Sequence, residues 1–353
     1  KILKKIEKVI KFNDFTLGLE VDKFEKNIGK LLNTKYVVAV GSGTDALMLS
    51  LNALGVREGD EVITTPYTFY ATIGAIVTAG AKPVFVDVDE DYNINVDKIE
   101  NKINKKTKAI LPVHWSGRIC NMKKIKMISS KYGVPIVEDA CHAISARYYK
   151  NFAGKFGDFG CFSLHPLKNL NVWGDGGFVV VKNKKHYQNL RLMRNHGLVS
   201  RNKNLIFGYN SRLDTIQAVI ANHLLKKIKN ITKKRIENSL YLEKHLKFLN
   251  GLIFKERSKH LVEVFHLYEF RLQNSKLREP LVKYLRKNNI DAKIHYPIPM
   301  HLQPAAKKYS YKKGDFPICE KIAKSTVSLP VHEHLNRENL DKMISKIKFF
   351  MNK

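Results

Sequence analysis

The chain has 353 residues, 44% hydrophobic and 10% aromatic. That is enough for two units with substantial cores, and no apolar run approaches the roughly 20 residues that span a bilayer, which argues against a membrane role. Sixty-two Lys and Arg against 32 Asp and Glu leave a net charge of +30. The lysines fall as dispersed pairs such as Lys4-Lys5, Lys123-Lys124 and Lys312-Lys313, without a basic tail or an RNA-stacking aromatic motif. The charge therefore reads as compositional bias, not a nucleic-acid footprint, although it would still draw a polyanionic substrate. The four cysteines (Cys120, Cys141, Cys161, Cys319) have no C-x-x-C spacing and are expected to be reduced thiols of a cytoplasmic protein. Lys1 to Phe12 lacks the apolar stretch of a secretory signal, and with no Met before Lys1 the natural start is expected to lie upstream.

Periodicity predicts an amphipathic helix from Glu20 to Leu32, a buried strand from Tyr36 to Val40 and a helix from Asp45 to Ala53. A strand follows at Glu61 to Thr64, a helix after Phe69, and strands at Pro83 to Val86 and Ala109 to Pro112. A helix from Met122 to Lys131 leads to the strand Pro135 to Glu138, and a further strand is expected at Phe178 to Val181. Such β-α alternation predicts a mainly parallel sheet covered by helices, with ligands beyond the carboxyl ends of its strands. Past it, a long helix from Asp214 to about Leu249 is expected to bridge to a smaller α+β unit. Its strands are placed around Leu261 to Leu272 and Ala292 to His295, and its helices near Lys276 to Lys287, Pro317 to Ser325 and Glu338 to Phe350. The expected division is 1–230 and 231–353.

The chemistry concentrates after the strands. Asp139 ends a buried strand, and Lys168 follows about thirty residues later, between the hydroxyl of Ser163 and the turn Gly174-Asp175-Gly176-Gly177. An acid for a pyridine nitrogen, an amine for an aldehyde and a hydroxyl for a phosphate are the three needs of pyridoxal phosphate. Pro166, Leu167 and Leu170 are expected to make the surroundings of Lys168 apolar, lowering its pKa toward the neutral amine. Gly41-Ser42-Gly43-Thr44-Asp45-Ala46 follows a strand and opens a helix, so its free N–H groups suit a phosphate, with Thr44 as the expected cap if the turn is only structural. It also fits the dinucleotide pattern G-x-G-x-x-A, the basis of an alternative nicotinamide-dependent reading. The next strand ends Ile63-Thr64-Thr65-Pro66 without the acid that reading requires. Phe69 is a candidate to stack on a flat heterocycle. His332 and His334 lack convergent partners at metal-ligand spacing and are read as non-ligands, so no metal is expected.

The succession Gly43-Thr44-Asp45-Ala46-Leu47, Pro66-Tyr67-Thr68-Phe69, Pro83-Val84-Phe85-Val86-Asp87-Val88, Glu138-Asp139-Ala140, Lys168-Asn169-Leu170 and Gly208-Tyr209-Asn210-Ser211-Arg212 resembles the DegT/DnrJ/EryC1/StrS family of sugar aminotransferases. His295-Tyr296-Pro297-Ile298-Pro299-Met300-His301 continues the resemblance, which covers nearly the whole chain. It implies an α/β, fold-type I, aspartate-aminotransferase-like homodimer that uses pyridoxal phosphate. Lys168 matches the Schiff-base lysine, and Asp139 matches the partner of the pyridinium nitrogen. His142 sits where a side chain approaches the ring hydroxyl, and Phe69 where an aromatic stacks on the ring. Gly43, Thr44 and Ser163 stand where the phosphate is held, and Asn210 matches a residue reaching the neighbouring subunit's coenzyme.

The implied reaction moves an amine from glutamate to C3 of a 3-keto-6-deoxyhexose on a nucleoside diphosphate, dTDP being expected, in amino-sugar biosynthesis for surface polysaccharide or glycoside. The alternative is a C4 aminotransferase on a 4-keto sugar. His295, Tyr296 and His301 are implied sugar contacts. Arg212 is a candidate clamp for a carboxylate or diphosphate, with a structural salt bridge as its alternative. Trp115 and Asn171-Val172-Trp173 depart from the family pattern and are expected to bear on the sugar pocket. A non-catalytic coenzyme-binding regulator is a further competing reading.

Overall fold

The computed structural model describes residues 2–352. Seven strands make one large sheet, in the order Lys82–Phe85, Glu61–Thr64, Thr107–Ile110, Val137–Asp139, Phe159–Ser163, Gly177–Val181 and Tyr36–Val40. Its two halves are joined by the parallel bridges Ile110 to Ile136 and Val113 to Asp139. Only Gly177–Val181 runs antiparallel to its neighbours, so the mainly parallel sheet expected from the alternation is present.

The period of two along each strand divides the core. Val37, Ala39, Phe178 and Val180 face the helices Leu19–Leu32, Met122–Tyr132 and Thr215–Leu225. Val38, Val40, Val179 and Val181 face Gly43–Ala53, Tyr70–Thr78 and Lys184–Met193. Burial on both faces explains why these strands read as continuous apolar runs.

A second sheet holds Leu252–Ile253, Tyr268–Leu272 and Thr326–Leu329, antiparallel, with Tyr268–Leu272 in the middle. Its core includes Phe270, Leu281, Val327, Leu340 and Ile347, contributed in part by the helices Arg278–Lys287 and Arg337–Met351.

Several expectations need correction. The long helix is two, Thr215–Leu225 and Ile228–Leu246. Ala218 and Ala221 of the first pack in the core of the large sheet, whereas Leu242 and Leu246 of the second pack in that of the small sheet. The apolar stretch from Leu261 to Leu272 also divides: Leu261–Val262 pairs with a hairpin at Arg147–Tyr148, and only Tyr268–Leu272 joins the small sheet. Ala292 to His295 forms no strand, only a bridge from Lys293 to Ser328.

A buried ion pair ties the helix Leu19–Leu32 to the strand that delivers the Gly41 turn. Arg194 Nη1 donates to Glu25 Oε1 at 2.5 Å and to the Ala39 carbonyl at 2.7 Å, and the Ala39 N–H donates to the same Glu25 oxygen at 2.9 Å. Glu25 is 8% and Arg194 2% exposed. Removing one partner strands the other charge, so Glu25→Ala is expected to lose about 3–5 kcal/mol in urea unfolding. A loss below about 1 kcal/mol would mean that the pair is solvated.

Candidate functional site

The strand Val137–Asp139 ends in two buried acids. Asp139 Oδ2 accepts the Thr72 hydroxyl at 2.7 Å, and Oδ1 accepts the Cys141 N–H at 3.2 Å. Thr72 is itself 2.7 Å from the Thr68 hydroxyl. The main chain of Asp139 is fixed as well: its N–H donates to Pro112 O and its carbonyl accepts from His114 N. The carboxylate is thus aimed by the helix Tyr70–Thr78 and by the neighbouring strand together.

The helix Gly43–Ala53 begins beside it. Ser42, not Thr44, is the N-cap, its hydroxyl accepting the Asp45 N–H at 3.0 Å. The first helical N–H groups, those of Gly43 and Thr44, precede any intrahelical acceptor and are oriented for an anion. Gly43 is required by close approach: a Cβ there would lie 2.7 Å from Ser163 Cβ and 3.1 Å from Cys141 Sγ. The absent side chain brings the Ser163 hydroxyl up to the helix terminus. The donor set therefore fits a phosphate.

Lys168 lies in the loop between Phe159–Ser163 and Gly177–Val181. Its backbone is tied by Lys168 N to His165 O at 2.8 Å and by Asn171 Nδ2 to Lys168 O at 3.0 Å. Leu170 and Val172 enter the core, and Asn169 Nδ2 donates to Val264 O. Burial lowers the pKa of the Lys168 amine, while Cys141 and Asp139 act in the opposite direction. The apolar neighbours in sequence are not the whole cause, since Pro166 is exposed and Leu167 is 69% exposed.

A cavity of about 630 Å³ is lined by Gly43, Thr44, Phe69, Asp139, His142, Ser163, Lys168, His295 and Tyr296. Five segments distant in sequence thus converge. His142 is held well below the ordinary histidine pKa by burial first, with Lys168 and His295 adding to it. His295 is lowered mainly by burial, and its Nδ1 lies 3.0 Å from Ser328 Oγ. Tyr296, raised by burial, has its ring 5.8 Å from that of Phe69. Phe69 keeps 45% exposure, leaving ring surface available.

Three expected residues lie elsewhere. His301 is buried away from the cavity, with Nε2 3.2 Å from Glu320 Oε1 and its ring against Phe316. Packing claims it, and it is withdrawn as a sugar contact. Asn210 and Arg212 do not line the cavity of their own chain; Arg212 Nη1 donates to Asn195 Oδ1 at 3.0 Å instead of forming a salt bridge. Of the departures from the family pattern, Asn171 lines the cavity, whereas Trp115 and Trp173 do not. Trp115 is fully buried beneath Tyr296, and Trp173 is 59% exposed beside Gln217. His332 and His334 line the cavity mouth with Glu333. Among the described residues no group of three or more His, Cys, Asp or Glu could hold a metal ion.

A sequence profile of the DegT/DnrJ/EryC1/StrS aminotransferase family matches residues 1–348. The chain belongs to this family. Among relatives of this aminotransferase-family chain is a dTDP-3-amino-3,6-dideoxy-alpha-D-galactopyranose transaminase of Aneurinibacillus thermoaerophilus. It is 36% identical over 350 residues, which cover 98% of this chain and 94% of the relative. A UDP-N-acetyl-3-dehydro-alpha-D-glucosamine 3-aminotransferase of Acidithiobacillus ferrooxidans is also 36% identical over 350 residues, covering 99% and 93%. The crystal structure of S. venezuelae DesV in complex with a ketimine intermediate superposes with a TM-score of 0.96 at 32% identity, covering 100% of this chain and 94% of that one.

In this DegT/DnrJ/EryC1/StrS chain, sequence reasoning passed over Thr68, Thr72, Cys141 and His266, which support Asp139 and His142. Thr72 stands three residues past Phe69 in the same helix start, a spacing that could have found it. The depressed pKa of Lys168 gives a stability prediction. Its folded pKa lies below its unfolded value, so between those two values the unfolded chain binds more protons there. The resulting destabilisation is full below the depressed pKa and is relieved as pH rises toward the ordinary lysine range. Lys168→Met is expected to raise the thermal midpoint of the unliganded protein at neutral pH, by a margin that narrows toward pH ~10. A midpoint that falls at neutral pH would contradict the desolvation.

Proposed function

We propose that this chain is a pyridoxal phosphate-dependent aminotransferase that passes the amine of glutamate to C3 of a 3-keto-6-deoxyhexose carried on a nucleoside diphosphate, with dTDP the expected nucleotide. The observation that carries the reading is the pairing, across one cavity, of a fixed buried carboxylate at Asp139 with a desolvated amine at Lys168. When bound, pyridoxal phosphate supplies an aldehyde that exchanges amines and a cationic ring that accepts the electron pair released at a substrate carbon.

The residues divide the work. Asp139 holds the proton on the ring nitrogen, its orientation set by Thr72 and the Cys141 N–H. Lys168, its pKa lowered by burial, would hold the aldehyde carbon and would afterwards take a proton from the donor's α-carbon at Nζ. Ser163, Gly43 and Thr44 hold the phosphate at the helix N-terminus. Phe69 covers one ring face, and His295 and Tyr296 orient the sugar. The two relatives named for amines or ketones at position 3 support C3, whereas their dTDP and UDP carriers leave the base to be measured. We assign the chain to the cytoplasm on its four free cysteines.

A homodimer is part of the proposal. Phe207 is 98%, Leu205 59% and Val199 50% exposed beside Asn210 and Arg212, an apolar surface that a second copy would cover. Asn210 would then reach the partner's coenzyme phosphate. Mixing inactive Lys168→Ala and Asn210→Ala chains is expected to restore about a quarter of wild-type activity, since half of random dimers carry one intact shared site. No restoration would place Lys168 and Asn210 in sites of one chain.

Borohydride reduction followed by peptide mapping is expected to leave a pyridoxyl group on Lys168; a label on Lys150 or Lys155 would overturn its role. Incubation with glutamate and a panel of 3-keto and 4-keto nucleotide sugars, read by mass and NMR, is expected to give amine at C3. Turnover of 4-keto sugars alone would overturn C3 and leave amine transfer standing.

A further inference from the structure

His142 faces the cavity from a closed setting. Its Nδ1 accepts the Ser116 N–H at 3.3 Å, so the single proton of the neutral ring sits on Nε2. The ring of His266 lies on it at 4.2 Å and 31°, and the edge of Trp115 meets it at 5.4 Å.

Ser116 is an unusual anchor. It has φ 60° and is followed by Gly117 at φ 95°, where a Cβ would lie 2.7 Å from Val264 Cγ2 and 3.0 Å from the His142 carbonyl. A turn of this shape needs outside support, and the small sheet and the segment leading into it supply it. Val264 N donates to Gly117 O, His266 N donates to Ser116 O at 2.9 Å, and Ser116 Oγ donates to Leu267 O at 2.7 Å. At the end of this ladder Trp115 Nε1 donates to both oxygens of Glu269, at 3.2 and 3.0 Å. The Glu269 side chain is fully buried, and its charge is met by Lys255 Nζ at 3.1 Å, which also sits 3.8 Å above the ring of Tyr92.

We infer that Glu269 is a positioning residue for the site: through Trp115 and the Ser116 turn it fixes His142 as an Nε2–H donor directed at the cavity. The inference rests on the coenzyme reading above only for what that donor meets, which would be the ring hydroxyl of pyridoxal phosphate. The tautomer belongs to the chain itself. Glu269 stands in the small sheet and Trp115 follows a strand of the large one, so the clasp also makes the His142 donor depend on how the two sheets meet. Lys255 neutralises the carboxylate without competing for the Trp115 proton, since an ammonium only donates.

The test is 15N NMR of the histidine-labelled holoenzyme, with the His142 pair assigned by its loss in His142→Gln. Wild-type protein is expected to give a protonated Nε2 and an unprotonated Nδ1. Trp115→Phe keeps the ring but removes the donor, and Glu269→Gln removes the charge. Both are expected to move the two resonances toward each other and to shift the visible absorption maximum, effects that a merely structural role would not produce. An Nδ1–H tautomer in wild type overturns the inference without any variant. Folded Trp115→Phe protein with unchanged resonances overturns it equally. A preparation that binds no chromophore counts against the coenzyme reading, and the tautomer is still read.

Discussion

Two buried carboxylates in succession, Glu138 and Asp139, point to opposite faces of the large sheet, and the site depends on what each one holds. Glu138 is fully buried. It accepts the N–H groups of Gly154, Phe156 and Gly157 at 2.7 to 2.9 Å, and its Oε2 is 2.8 Å from His114 Nε2. An ion taken from water without such partners is penalised by several kcal/mol; four contacts offset that penalty and fix the loop leading into Phe159–Ser163. Asp139, one residue on, emerges at the carboxyl end of its strand. Its two contacts leave it oriented toward the cavity. One acid anchors the scaffold so that the next can act.

From that pair the rest follows by proximity. The strand Phe159–Ser163 runs parallel to Val137–Asp139 with Cys161 level with Asp139, so Ser163 lies two residues beyond the acids at the same carboxyl end. Gly43 lets a helix N-terminus come within side-chain distance of Ser163, and the loop after Ser163 returns Lys168 to the same mouth. The anion-binding end, the carboxylate and the amine occupy the region where ligands collect in parallel sheets. Burial then does the electrostatic work, lowering the pKa values of Lys168, His142 and His266 together.

Much of this was legible in the chain because strands buried on both faces leave continuous apolar runs. Tyr36–Val40 and Glu61–Thr64 were expected to the residue, as was the helix Pro317–Ser325. Asp139, Lys168, Ser163 and Gly43 were found from the needs of one coenzyme and do share a cavity. What escaped was set by tertiary contact. Phe159–Ser163 carries a glycine inside it, pressed against Gly154, and hides its strand character. The helix from Asp214 contains no glycine or proline at its break, which is imposed by two cores. His301 stands in a histidine-rich, pocket-like segment, yet Glu320 and Phe316 bury it. The support of Asp139 by Thr72, and of His142 by Ser116, depends on approaches that no local pattern encodes.

The central claim is that Asp139 and Lys168 hold one coenzyme between them and use it to move amines. The most direct measurement is the visible absorption of the purified protein saturated with pyridoxal phosphate, followed while glutamate and then 2-oxoglutarate are added. A visible band that glutamate bleaches and 2-oxoglutarate restores is the predicted result. A band that glutamate leaves unchanged would contradict amine transfer from that donor, and the same bleaching in Lys168→Ala protein would contradict the role given to the lysine.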